Sequence, residues 1–381
     1  MPEKKNRNKR WAYLIGIGLA LCPIHNTWIT KLVTTDGSVG FFLPAFGTAI
    51  WLMGSLMFVT WNWNQIKAVG LGAKSIWIPL LAIVGAIGLS GAFTGTTIQD
   101  KLSPLLMGCA MFSVYLTVRV IGRDVLYPLV IGAVIASLGV IAYAIIYPHV
   151  LSGGFVFEGN YDIIVGYVLV ALAMFIHKYR WLLSGLALVA LFLTGSPEAV
   201  FVVAIIAVAV LIRRDWSRKL LYVIIPTGIL AVILLTTGYL QSFYSYTIDV
   251  AKDSPVISAN ADDSYGIGQR LRIINQSFDN FSAFGDGYNV TNFQTKTVHN
   301  VPLIIVQQLG IPGIIAALAW LWVSFYCLFK TKWKYLWIII IALSVFDHFI
   351  WTQLSPWWWV ALGVTTNSSI GNDLIFKTKE V

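Results

Sequence analysis

The run SIWIPLLAIVGAIGLSGAF, residues 75–93, decides what kind of chain this is. It carries no charge, and its length falls within the ~17–25 residues that a helix needs to cross a hydrocarbon core. Comparable runs recur near 11–29, 41–61, 102–119, 125–147, 161–177, 181–195, 198–212, 219–236, 301–328, 335–353 and 356–371. Those at 181–195, 198–212 and 356–371 are short. In lipid such runs must be helices, because backbone groups find no water there and an open sheet leaves unsatisfied edges. The expectation is an all-α, polytopic integral membrane protein of about twelve transmembrane helices, forming one membrane domain over 1–381. Composition agrees: of 381 residues 57% are hydrophobic and only 11% charged, against about 25% charged in soluble chains. Mean hydropathy is +0.76.

Charge sets the orientation. The segment Lys4-Lys5-Asn6-Arg7-Asn8-Lys9-Arg10 precedes an apolar run without a small-residue cleavage site, which predicts a retained first span and a cytoplasmic N-terminus. Threading twelve spans from there puts 20 of the 26 basic residues inside, among them Lys67, Lys74, Arg119, Arg123, Arg213, Arg214, Lys330 and Lys334. Only Lys31, Lys101, Lys252, Arg270, Arg272 and Lys296 fall outside. The net charge of +9 is therefore chiefly a topology signal, and no nucleic-acid footprint is read from it. Both termini are expected in the cytoplasm.

One long polar segment, 238–300, interrupts the apolar pattern, and the same threading makes it extracytoplasmic. Asp249 to Ser264 is rich in Asp, Ser and Asn and reads as irregular. Gln269 to Ser282 reads as an amphipathic helix, since Leu271, Ile274, Phe278 and Phe281 recur at helical spacing; its aromatic residues suit a helix lying on the membrane surface. Gly285-Asp286-Gly287 breaks it. Tryptophans gather at span ends (Trp61, Trp63, Trp333, Trp337, Trp351 and Trp357-Trp358-Trp359), where interfacial anchoring accounts for them. Cys22, Cys109 and Cys327 all sit within apolar runs and read as buried small hydrophobes.

Few residues can carry chemistry. His299 stands at the end of the polar insert beside Asn300, and an imidazole there can take a proton from a hydroxyl. Arg270 and Arg272 lie about 200° apart around a helix, so one of them at most faces the same ligand as His299. A guanidinium offers a bidentate fork for phosphate oxygens. Asp347, near the outer end of its span, is costly in lipid and is expected to face a cavity or pair with an arginine. The sequence lacks HExxH, Asp-x-Asp, GxxxxGK[ST] and GxGxxG, so no metal and no nucleotide cofactor is expected.

The motifs also stand in a telling order. Arg270-Leu-Arg-Ile-Ile274 precedes Phe284-Gly285-Asp286-Gly287-Tyr288-Asn289. His299-Asn300-Val-Pro-Leu follows, then Gln308-Leu309-Gly310-Ile-Pro-Gly313. Earlier stand Gly159-Asn160-Tyr161-Asp162 and Leu193-Thr194-Gly195-Ser196; later come Phe346-Asp347-His348 and Trp351-Thr352. Over roughly residues 155–355 this ordered set resembles the O-antigen ligase and O-antigen polymerase superfamily of bacterial envelope enzymes. Those proteins carry a large periplasmic loop with an Arg, a Gly-x-Gly turn, and His-Asn at the mouth of the next span. The chain departs from them at Pro197-Glu198, where family members carry an Arg after the Ser of a short turn. Arg272, Lys252 and Lys31 are the cations available to replace it.

The resemblance implies glycan transfer on the outer face of the bacterial inner membrane. The donor would be a polyprenyl-pyrophosphate-linked glycan; the acceptor would be a sugar hydroxyl on a lipid A core or on another lipid-linked glycan. It implies that Arg270 stabilises the departing pyrophosphate and that His299 is the base, with Arg272, Asn300, Asp347, His348 and Asn160 around the substrates. The rival expectations are a twelve-span transporter and a non-catalytic flippase of envelope glycolipids. No internal repeat supports the transporter.

Overall fold

The computed structural model describes residues 2–22, 42–146, 186, 189–190, 193, 281–288, 298, 300–331, 333–346, 350–352 and 354–367. In chain order its helices are α1 (Pro2–Leu21), α2 (Phe42–Trp61), α3 (Trp63–Val69), α4 (Lys74–Thr94) and α5 (Ile98–Ile121). A 3-10 turn (Gly122–Val125) leads into α6 (Leu126–Ile146), and then come α7 (Val301–Leu309), α8 (Ile311–Lys330), α9 (Lys334–Phe346) and α10 (Ser355–Thr365). Among the described residues there is no strand.

Among the described residues three helical stretches are long and apolar enough to cross a membrane: Lys74–Thr94, Ile98–Ile146 and Ile311–Lys330. The second is divided by the 3-10 turn into helices of 24 and 21 residues, each about 30 Å long or more at 1.5 Å per residue. Large apolar side chains stand exposed on these helices, including Leu106 at 67%, Phe93 at 63% and Leu318 at 63%. Apolar helices with such a surface suggest membrane association. The runs expected at 161–177, 198–212 and 219–236 lie outside the described residues. From the run at 181–195 only Leu186, Val189, Ala190 and Leu193 are described, all helical.

The chain divides into two compact units, Met1–Gly132 with Ser277–Val381, and Ala133–Gln276. In the first unit α1 packs on α2, α4 on both α5 and α8, α7 on α8, and α10 on α5. The α1–α2 contact is backbone to backbone. A Cβ on Gly18 would lie 2.6 Å from Trp51 N, and one on Gly47 would lie 2.5 Å from Cys22 N. Small residues allow this close approach. The turn between α4 and α5 closes with a capping box, in which Asp100 N donates to Thr97 Oγ1 (3.1 Å) and Thr97 N donates to Asp100 Oδ2 (3.0 Å).

Four expectations need correction. The single span at 301–328 is two helices, α7 and α8, broken at Gly310 with φ 65°. Of the run at 335–353 the described helix is the 13 residues of α9, and the run at 356–371 holds in α10 a helix of 11 residues bounded by the described Leu354 and Thr366. At about 17 Å, α10 falls short of a hydrocarbon core of about 30 Å. Third, Trp333, Trp337, Trp351 and Trp357-Trp358-Trp359 are buried in the protein rather than anchored at an interface. Every residue of α10 is buried; a helix that is apolar all round is a core helix. Trp357 Nε1 donates to Leu19 O (3.0 Å), Trp358 Nε1 to Ser324 Oγ (3.2 Å), and Trp358 stacks on Trp320 with centroids 5.8 Å apart. Trp61 and Trp63 are exposed, as interfacial residues would be. Finally, Cys109 is exposed on α5 rather than buried, whereas Cys327 is buried as expected.

Candidate functional site: a glycine turn seated in a broken helix

Breaking a span at Gly310 leaves the last carbonyls of α7 and the first N–H groups of α8 without helical partners. In an apolar surround they must be satisfied locally. The turn at 282–288 does this. Asp286 N donates to Gln307 O (3.1 Å) and Gly287 N to Gln308 O (3.0 Å), while Ile311 N donates to Ala283 O (2.8 Å). This turn of the polar insert thus plugs the junction between α7 and α8. Only glycine fits where the chains cross. Gly285 has φ 77° and Gly310 φ 65°; a Cβ on the first would lie 2.2 Å from Gln308 O, and one on the second 2.3 Å from Ala283 O.

Helix α4 holds the plug. The Ser90 hydroxyl lies 2.8 Å from Phe284 O and 3.2 Å from Gln308 O, its one proton shared between them. One turn further along α4, Phe93 stacks on Phe284 with centroids 4.0 Å apart and planes at 16°. From the other side Trp351 Nε1 donates to Gln308 Oε1 (2.9 Å), and the Tyr288 ring meets Trp351 edge-on at 5.8 Å. Ser90, Gln308 and Trp351 are all buried.

Asn300 begins α7. Its Oδ1 accepts from Leu303 N (3.2 Å) as an N-cap, and its Nδ2 donates to Val345 O near the end of α9 (3.1 Å). Val298, on the other side of His299 in the chain, is buried, and its N–H donates to Gln307 Oε1 (3.3 Å). Gln307 also hydrogen-bonds the Asp286 carboxyl. One glutamine therefore ties the glycine turn to the residue preceding His299.

Burial gives the two ionisable groups of the turn opposite character to a surface pair. It pushes the Asp286 carboxyl above the usual aspartate range, with the Gln307 hydrogen bond working the other way. It pushes the Tyr288 phenol up to about 12, opposed by a hydrogen bond with Ser355. Tyr288 is thus a protonated hydrogen-bonding group at neutral pH, not a base. Because the fold disfavours the charged form of Asp286, its contribution is most favourable below the ordinary aspartate value and is lost as pH rises through the raised one. Asp286→Asn should remove that loss, leaving a variant no less stable at pH 7 and flatter between the two values. Melting temperatures followed against pH check this; parallel curves would contradict it.

No protein-family model, curated protein or solved structure matches this chain.

Of the seven residues singled out from sequence, Asn300 alone is described, and its carboxamide is committed to the cap and to Val345. Arg270, Arg272, His299, Asp347, His348 and Asn160 lie outside the described residues, as does the Pro197-Glu198 departure. So does the amphipathic helix expected over 269–282, except Phe281 and Ser282, which are not helical. Ser90, Gln307, Tyr288 and Trp351 were not singled out as site residues. A glutamine pair in the middle of an apolar run was the available signal, since buried amides require partners; nothing local distinguishes Ser90. Among the described residues no three His, Cys, Asp or Glu side chains come together as a metal site.

Proposed function

We propose that this protein is a membrane glycosyltransferase of the O-antigen ligase and polymerase kind. It would move a glycan from a polyprenyl-pyrophosphate donor to a sugar hydroxyl on the outer face of a bacterial inner membrane. The observation that carries the proposal is the plug: the Gly285-Asp286-Gly287 turn, seated on the break between α7 and α8 and tied by Gln307 to the residue preceding His299. Broken helices are where membrane proteins put backbone and polar groups to use at depth. The ordered motifs around it, and the outward charge balance of the insert, support the same assignment.

In this proposal the chain has about twelve spans with both termini cytoplasmic. Arg270 stabilises the charge developing on the leaving pyrophosphate. His299 accepts the proton of the acceptor hydroxyl as that oxygen attacks the anomeric carbon and the bond to the pyrophosphate oxygen breaks. With a pyrophosphate already installed as leaving group, the reaction needs no nucleotide. The acceptor is either a lipid A core or a second lipid-linked glycan.

The test is transfer by the purified full chain from a polyprenyl-pyrophosphate oligosaccharide to each acceptor. Arg270→Lys should lose about 10-fold or more, because a point charge replaces a fork. Equal activity of the lysine variant would reduce Arg270 to a surface charge. Pro197-Glu198 favours the rival of a non-catalytic relative: no transfer to either acceptor, with the glycolipid retained on the cytoplasmic face of a deletion strain, would establish a flippase instead.

A further inference from the structure

Away from the plug, a buried arginine has no counter-ion among the described residues. Arg119 lies in the last turn of α5 and is only 5% exposed. Its Nη1 donates to Tyr115 Oη (3.2 Å), and its guanidinium lies 5.7 Å from the Tyr115 ring centroid. Tyr115 Oη in turn donates to Leu71 O (2.9 Å). Nε is buried and makes no hydrogen bond. Among the described residues no carboxylate pairs with the guanidinium. The C-terminal helix dipole and the ring face offset part of the cost of burying this charge, yet a desolvated cation without an anion remains expensive.

The cover over Arg119 is thin. The loop Gly70–Ala73 passes across it: a Cβ on Gly72 would lie 1.9 Å from Nη1, and Gly70 and Gly72 both have positive φ, at 71° and 90°. The loop is exposed, and so are Lys67 and Lys74 on either side of it and Arg123 one turn beyond Arg119. Asp124 is the sole acid in the described stretches 62–74 and 119–125. The loop also joins the end of one helix to the start of another that is long enough to cross a membrane, and Arg119 is two residues from the end of a third. Such ends sit at headgroup depth, and basic pockets between span ends take anionic headgroups.

We infer that Arg119, under the Gly70–Ala73 loop, is the base of a phosphate site occupied by the headgroup of an anionic phospholipid. When the Gly70–Ala73 loop lifts, the Nε edge of the guanidinium takes the phosphate oxygens, and Lys67, Lys74 and Arg123 supply the surrounding field. This assignment is independent of glycan transfer at the plug.

The full chain, purified in a non-ionic detergent, should melt about 3 °C or more higher with phosphatidylglycerol than with phosphatidylcholine. Arg119→Gln should abolish that difference and Arg119→Lys should keep part of it. Should Arg119→Gln fail to fold, the surface triple variant Lys67→Gln, Lys74→Gln, Arg123→Gln provides the second measurement, and it should at least halve the shift. Equal shifts for the two lipids, or a phosphatidylglycerol shift undiminished in both variants, would overturn the inference. A shift produced by inorganic phosphate but not by phosphatidylglycerol would overturn the lipid as occupant.

Discussion

Gly310→Ala should cost about 2–6 kcal/mol of stability and remove transfer activity with it. At φ 65° and ψ −137° the residue sits where side chains are all but excluded, a conformation worth about 1–3 kcal/mol of strain to alanine. The new methyl would also meet Ala283 O at 2.3 Å and Gly285 N at 2.5 Å. Both are backbone atoms of the plug, not the ends of flexible side chains, so relief requires the turn to move away, at about 1–3 kcal/mol more. Moving it breaks Ile311 N to Ala283 O and loosens the donations of Asp286 N and Gly287 N to Gln307 O and Gln308 O. Thermal unfolding in detergent reads the stability and single-turnover transfer reads the activity. An unchanged melting temperature would mean that the break at Gly310 is not held by the turn.

His299→Ala should lower transfer by about 10²–10⁴-fold, the usual worth of a general base, while leaving the melting temperature within about a degree. The second half of this expectation comes from the neighbours. Val298 N is held by Gln307 Oε1 and Asn300 caps α7 through its own side chain, so neither hydrogen bond uses the imidazole. A variant that binds donor but does not transfer supports the base. Full activity would remove His299 from the mechanism. Gln307→Ala separates positioning from chemistry: with the tie between Asp286 and Val298 cut, transfer should fall without loss of the acid limb of its pH profile.

Much of the architecture was legible from the runs of apolar residues. The spans read at 41–61, 75–93, 102–119 and 125–147 match α2, α4, α5 and α6 to within a few residues, because length and lack of charge are enough to define a helix in lipid. The turn at Gly285-Asp286-Gly287 was equally legible from its glycines, whereas the helix it was expected to break lies outside the described residues apart from Phe281 and Ser282. Hydropathy could not see the interruption at Gly310, since a single glycine leaves the average of an apolar window unchanged. Nor could it separate α10 from a terminal span, because a tryptophan facing the core and one facing a headgroup have the same composition. Asn300 illustrates the limit at the site: an Asn beside a His reads as a substrate contact, whereas its partners are Leu303 N and Val345 O.

By itself the sequence determined that this chain is helical and membrane-like, and which polar insert carries a histidine and a glycine turn. These follow from local properties: side-chain hydropathy, charge and backbone freedom. Only the tertiary structure decided that the glycine turn belongs inside a broken helix, with Ser90 and Trp351 holding it from elements far away in sequence. The reason is backbone satisfaction. Carbonyls freed by a break in an apolar surround must find donors wherever the fold brings them, and that choice is made in space rather than along the chain.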